Sequence, residues 1–246
     1  MASRLTIDTL LDSTPRLWKG RQANRAQRAL PTGQARLDAR LPGGGWPLGA
    51  VSEVIAGHPG LGELSLVLPA LADIGGRGQW LVLVDPPWIP YPASLAGNGL
   101  PLERLLLIRT KSQEESLWAC EQALANGRGG AVLAWPERVA FPRLRRLQLA
   151  AEANGKLAVL FRPEGALREP SPAALRLLLE AGGPGRVRLQ IVKCRGSRPS
   201  EPMWISMARA SGAEAGAWPV VDERSPDAPP IHATGHTALP AGALLN

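Results

Sequence analysis

The sequence predicts an α/β protein built on a doubly wound, mostly parallel sheet, with helices on both faces and an antiparallel hairpin at one end. Three observations carry this. Short apolar runs of strand length (Gln79 to Asp85, Leu105 to Ile108, Ala131 to Trp135, Leu157 to Phe161) alternate with segments of helical period, as expected of strands covered on both sides. The stretch from Val51 to Leu71 reads strand, glycine-rich turn, helix. Arg186 to Lys193 alternates, with Val187, Leu189 and Ile191 facing one way and Arg186, Arg188 and Gln190 the other. That is a strand with one wet face.

Taken in order, Ile7, Leu10 and Leu11 fit one face of a short helix that Pro15 ends. Trp18 opens a basic, Gln-rich stretch to Leu30 that reads as a surface helix, and Pro31-Thr32-Gly33 is a turn. The Gly and Pro density from Pro42 to Pro47 marks a loop of defined shape, because Pro fixes φ while Gly permits tight turns. Strand Val51 to Ala56 follows, then a helix with Leu64, Leu68, Leu71 and Ile74 inward, which Pro69 should kink or shorten. Pro86 to Pro92 excludes helix and inner strand. Ser112 to Glu115 is a capping box opening a helix that buries Leu117, Cys120 and Leu124. Pro142 suits the first turn of a helix with Leu144, Leu147 and Ala151 inward, stopped by Gly155. Ser171-Pro172 is expected to start a further helix ending at Gly182-Gly183-Pro184, and Met203 to Met207 to pair with the Arg186 strand. From Gly212 onward the chain is rich in Ala, Gly and Pro without period, and reads as disordered. The expected organisation is a basic arm with its Gly-Pro loop over 1–45, a core over 46–211 and a tail over 212–246.

The chain has 246 residues, 45% of them hydrophobic, which allows one α/β domain with a sizeable core. Its net charge of +7 admits an anionic partner without proving one. Residues 1–40 carry +5 and Arg186 to Arg209 another +5, whereas 213–246 carry −3. Two cysteines, Cys120 and Cys194, have neither metal spacing nor a disulfide framework, so a reducing cytoplasm is expected. No signal peptide or membrane span is read from the sequence. His232 and His236 stand four apart, but their Pro, Gly and Thr neighbours deny them a helix, so no metal is expected. His58 is read as a turn residue.

The glycine-rich turn has the layout of a phosphate-binding loop. That motif needs G-x-x-x-x-G-K-[ST]: backbone N–H groups cradle phosphates, Lys neutralises them and the hydroxyl holds Mg²⁺. Here Gly57, Gly60 and Gly62 are present, but Glu63 stands in the Lys position and Leu64 in the hydroxyl position. Replacing Lys by Glu turns an attraction of about 3 kcal/mol per phosphate charge, at about 5 Å and an effective dielectric near 20, into a repulsion of similar size.

Leu30-Pro31-Thr32-Gly33, Leu37-Asp38, the Gly43 to Gly49 string, Glu53-Val54-Ile55, the glycine loop and Val84-Asp85 follow the order seen in RecA-like recombinases. The strings Leu41 to Pro47 and Val192 to Arg198 resemble the ImuA family in particular, RecA-like and SulA-related accessory proteins of bacterial mutagenic translesion DNA synthesis. The resemblance spans roughly Trp18 to Ile205. It implies a RecA-type core, a role in the SOS response to DNA damage, an ImuB-type polymerase-like partner and, through it, a second DnaE-type polymerase. It also admits contact with RecA, self-association and weak DNA binding.

Recombinase chemistry does not carry over. The catalytic Glu should follow the Leu81 strand, where Pro86, Pro87 and Trp88 stand. Ala134-Trp135-Pro136 replaces the metal-associated Asp, and Phe161-Arg162-Pro163 replaces the sensor Gln. The segments matching the two DNA-gripping loops, Pro136 to Pro142 and Arg162 to Pro170, are short. The expectation is therefore a non-enzymatic protein with no cofactor, its loop vestigial. Arg143, Arg145 and Arg146 are the candidates for nucleic acid or an acidic partner. Leu5, Ile7, Leu10 and Leu11, with Trp218, Val220 and Val221, are the candidates for partner binding. Two other functions are open to the same resemblance: a SulA-type division inhibitor acting on FtsZ, and an active DNA-dependent ATPase.

Overall fold

The computed structural model describes residues 28–127, 130–183, 185–197 and 199–207. A two-stranded antiparallel ribbon, β1 (Ala29–Leu30) with β2 (Trp46–Pro47), leads into the main sheet. Between them lies the short helix α1 (Ala35–Asp38), whose turn is tied by Thr32: its N–H and hydroxyl both donate to Asp38 Oδ1, at 2.9 and 2.7 Å. Leu30, Leu37, Leu41 and Trp46 are buried against the sheet. The expected surface helix to Leu30 is thus a strand at its last two residues. Its hydrogen-bond partners sit on Trp46 and Pro47 rather than one turn back along the chain.

The main sheet has eight strands: β3 (Ala50–Ala56), β4 (Leu81–Val84), β5 (Leu105–Ile108), β6 (Ala131–Ala134), β7 (Leu157–Pro163), β8 (Leu175–Ala181), β9 (Arg186–Cys194) and β10 (Met203–Ser206). Their order is β10-β9-β8-β3-β7-β6-β4-β5. β3 to β8 are mutually parallel, while β9 and β10 form the antiparallel end.

Strand alternation divides the interior into two cores. One takes Val54, Leu83, Leu133, Val159 and Leu177 together with Leu71 and Ile74 of α2 (Leu68–Gly76). The other takes Val51, Val82, Val132 and Leu160 under α4 (Gln113–Ala125) and α5 (Phe141–Asn154). Pro69 shortens its helix, as expected: α2 starts only at Leu68, with Pro69 in its first turn. A short helix α3 (Pro92–Gly97) follows the Pro-rich stretch. Ser112 Oγ accepts from the Glu115 N–H at 3.2 Å, and Glu115 reaches back to the N–H of Lys111, one residue beyond the usual box. Gly155 ends α5 at φ 64. Lys156 Nζ then donates to the Ala123 and Asn126 carbonyls near the end of α4, and burial pushes its pKa down.

One expectation fails. Ser171-Pro172 starts no helix: Ser171 Oγ accepts from the Ala173 N–H two residues on, a local turn, and the chain enters strand β8. Leu175-Arg176-Leu177-Leu178-Leu179 has helical composition. Beside β3 it buries Leu175, Leu177 and Leu179 in one core while Arg176 meets a carboxylate on the opposite face. Tertiary pairing overrides propensity here.

Candidate functional site

The glycine loop leaves β3 at the carboxyl ends of the parallel strands, where ligands bind in open α/β sheets. Gly60 and Gly62 take φ of 94° and 89°, conformations closed to most side chains, so the loop keeps the shape of an anion cradle. Its interior is filled by the protein. The Gly60 N–H donates to both carboxylate oxygens of Glu63, at 3.0 and 3.1 Å, and Glu63 is buried. A Cβ built on Gly60 would lie 3.5 Å from the Trp88 ring, and one on Gly62 only 2.9 Å from Met207 Cε. Leu64 packs against the first core. Further along, the N–H of Ser65 donates to Gly62 O and those of Val67 and Leu68 to Leu64 O. His58 and Gly57 are exposed on the loop.

The neighbouring strand ends are likewise committed to structure. Asp85, at φ 48°, accepts from the Thr110 N–H at 2.7 Å and from its hydroxyl at 2.6 Å. Trp135 stacks on Phe161 with ring centroids 4.6 Å apart. Arg162 turns inward: it pairs with Glu53 at 3.0 Å and with Glu169 at 2.7 Å, while Arg176 Nε meets the other Glu53 oxygen at 2.7 Å. Arg176 also donates to the Ala166 carbonyl, which pins the 3-10 turn Glu164–Arg168 over the cluster. Glu53 is fully buried between two guanidinium groups. Such a cluster is costly to break and of modest net stabilising value, and here Glu53 Oε2, Arg162 Nε and Arg176 Nε are close to opposite charge without a well-aligned hydrogen bond.

The three arginines of α5 are not gathered into one patch. Arg146 pairs with Glu121 of α4 at 2.6 Å and Arg143 stands 4.0 Å from Glu114, whereas Arg145 is exposed on another side of the helix. Leu5, Ile7, Leu10, Leu11, Trp218, Val220 and Val221 lie outside the described residues. Sequence reading overlooked the Glu53, Arg162, Arg176 and Glu169 cluster. Its available signal was a charge set inside each of three apolar strands. Among the described residues no group of His, Cys, Asp or Glu has the arrangement of a metal site.

A doubly wound sheet with a glycine loop after its first long strand defines a RecA-like α/β protein, here with the loop closed on its own carboxylate. The family model described as cell division inhibitor SulA matches residues 49–158. Protein ImuA of Caulobacter vibrioides is 29% identical, over 74% of this chain and 84% of that protein. The cell division inhibitor SulA of Serratia marcescens is 30% identical, over 50% of this chain and 72% of that protein. Protein RecA of Lactobacillus acidophilus is 29% identical over 44% of this chain and 30% of its own length. The chain belongs to the family of SulA-related proteins that includes ImuA.

Proposed function

We propose that this chain is a non-catalytic accessory protein of SOS-induced mutagenic translesion DNA synthesis, which binds and stabilises an ImuB-type polymerase-like partner. The observation that carries the role is the extent of the similarity to ImuA, which reaches 84% of that protein. The Glu63 carboxylate on the Gly60 N–H supports the absence of nucleotide chemistry, because it occupies the donor a phosphate would need. A protein partner is favoured by the free edge of the sheet. Among the described residues β5 is the last strand, and Leu106 and Leu107 are exposed on it; Trp80, just before the neighbouring β4 and 5.5 Å from the Arg104 guanidinium, and Trp118 on α4 are exposed as well. An unpaired apolar edge is a template for another chain. In this reading the segments around Leu5 to Leu11 and Trp218 to Val221 add contacts, the DnaE-type polymerase is engaged through the partner, and RecA or DNA contact is secondary. Arg145 has no carboxylate partner among the described residues, which supports it, of the three, as the one that meets a phosphate or an acidic surface.

Co-purification with an ImuB-type partner from DNA-damaged cells tests the reading: recovery of the partner is expected, and failure to recover it sinks the proposal. Phosphate release with ATP and single-stranded DNA should stay at background, and turnover above it would restore the ATPase reading. A second function is favoured by one observation, the SulA model over residues 49–158. If purified chain blocks FtsZ polymerisation at near-stoichiometric amounts, division inhibition replaces the accessory role.

A further inference from the structure

The two ends of the sheet are covered differently. One face of β8, β9 and β10 is buried through Leu177, Leu179, Val187, Leu189, Ile191, Met203 and Ile205. On the other face Arg186, Arg188, Trp204 and Ser206 are exposed, and Leu178, Gln190 and Val192 are half-buried. No helix of the described residues lies across this three-strand surface: α4 and α5 pack on β3, β4 and β6. Trp204 is 53% exposed, yet its ring is held down on the hairpin. A Cβ built on Gly182 would lie 2.4 Å from Trp204 Cζ3, so the indole lies against the backbone at the end of β8. Its cross-strand neighbour Arg188 is fixed by Glu180 at 2.9 Å, and Arg186 stands opposite Ser206 one row on. An aromatic plane held against the backbone, beside one tethered and one unpaired guanidinium, is suited to a short apolar and acidic peptide.

We propose that this open face is the intramolecular docking site for the chain's own C-terminal segment Trp218-Pro219-Val220-Val221-Asp222-Glu223. Met207, the last described residue, lies directly after β10 at the end of the sheet where Trp204 lies, its N–H bonded to Gly185 O at 2.8 Å. Residues 208–246 continue from that point. Trp218 is eleven residues past Met207, a reach of up to about 36 Å, while three strands span about 10 Å. Charge also selects this occupant. The segment from residue 213 onward carries −3 and meets Arg186, which has no carboxylate partner among the described residues, whereas residues 1–27 are net basic and join the sheet at the amino end of β3 through Arg28. A nucleic-acid strand is the less favoured occupant: Glu180 neutralises Arg188, so the face lacks the unbroken positive track a polyanion follows. Docked this way, the Trp218 segment is withheld from other proteins until it is released.

A fluorescein-labelled peptide of residues 213–227, followed by anisotropy on the full-length chain, tests this. The wild-type chain is compared with a full-length chain carrying Trp218→Ala, Asp222→Lys and Glu223→Lys. A tethered segment competes at an effective concentration near the millimolar range, so the peptide should bind the substituted chain about tenfold more tightly than wild type. That binding should weaken in high salt and be lost when Arg186→Glu and Arg188→Glu are added, both exposed positions whose folding is checked by circular dichroism. Equal binding to the two chains, binding to neither, or binding indifferent to the arginine reversals overturns the proposal. So does a labelled single-stranded oligonucleotide that binds wild type through Arg186 and Arg188.

Discussion

The covered and open parts of the sheet obey different rules. β4 and β6 are apolar at every position and buried at every position, because α2 lies on one side and α4 with α5 on the other. β9 alternates in sequence and alternates in burial, because it has a core on one side only. The boundary between the two regimes falls at β3 and β8, and there the fold sets its buried charges: Glu53 on β3, Arg162 on β7 and Arg176 on β8. The helical roof stops at this line and the 3-10 turn after β7 replaces it. A charged seam is tolerated where a helix is missing, since its opposite charges stand 2.7–3.0 Å apart while their stems still pack, even though Glu53 Oε2, Arg162 Nε and Arg176 Nε make no well-aligned hydrogen bond.

Substitutions should sharpen that contrast, beginning at the seam. Glu53→Ala leaves Arg176 buried without its carboxylate, and should lower stability by about 3–5 kcal/mol in urea unfolding. A loss under about 1 kcal/mol would mean that the seam is hydrated. In the covered part, Leu133→Ala should cost about 2–5 kcal/mol by the same measurement, since Leu133 is fully buried between strands. The two thiols offer a gentler contrast. Burial, and next the Asp85 charge, push Cys120 up to about 12, and burial pushes Cys194 up to about 11. At pH 8 both are protonated, so native alkylation should be slow, and slower at the fully buried Cys120 than at the half-buried Cys194. If Cys120 reacts first under native conditions, α4 opens locally and the covered part is not the rigid one. The smallest effect belongs to the open face: Trp204→Ala should change stability by only about 0.5 kcal/mol. That value is for the chain carrying Trp218→Ala, Asp222→Lys and Glu223→Lys, and the wild-type chain should lose more, because its tail covers Trp204.

Much of this was legible beforehand because it depends on local pattern. The apolar runs at 81–84, 105–108 and 131–134, the Ser112 cap, the Gly155 stop and the alternation of 186–193 each reflect a rule acting within a few residues. The glycine loop was placed correctly at the carboxyl end of β3, and its Glu63 and Leu64 were visible as departures from a phosphate site. Hidden from that reading was where Glu63 points. Isolated charges in apolar strands were equally uninformative alone, since Glu53, Arg162 and Arg176 are 14 to 123 residues apart and acquire meaning only when β3, β7 and β8 are neighbours.

The sequence by itself determined the alternation of strands and helices, the antiparallel end, and the Glu and Leu that stand at positions 63 and 64 of the glycine loop. Those are properties of residue type and spacing. Only the tertiary structure decided that Leu175 to Ala181 is a strand, that the glycine loop is closed by its own Glu63, and that a buried charge seam joins the covered and open parts. The physical reason is common to all three. Each depends on a partner that another segment or the turn of the loop brings within hydrogen-bond distance, and the free energy gained there exceeds the weak local preference of the residues themselves.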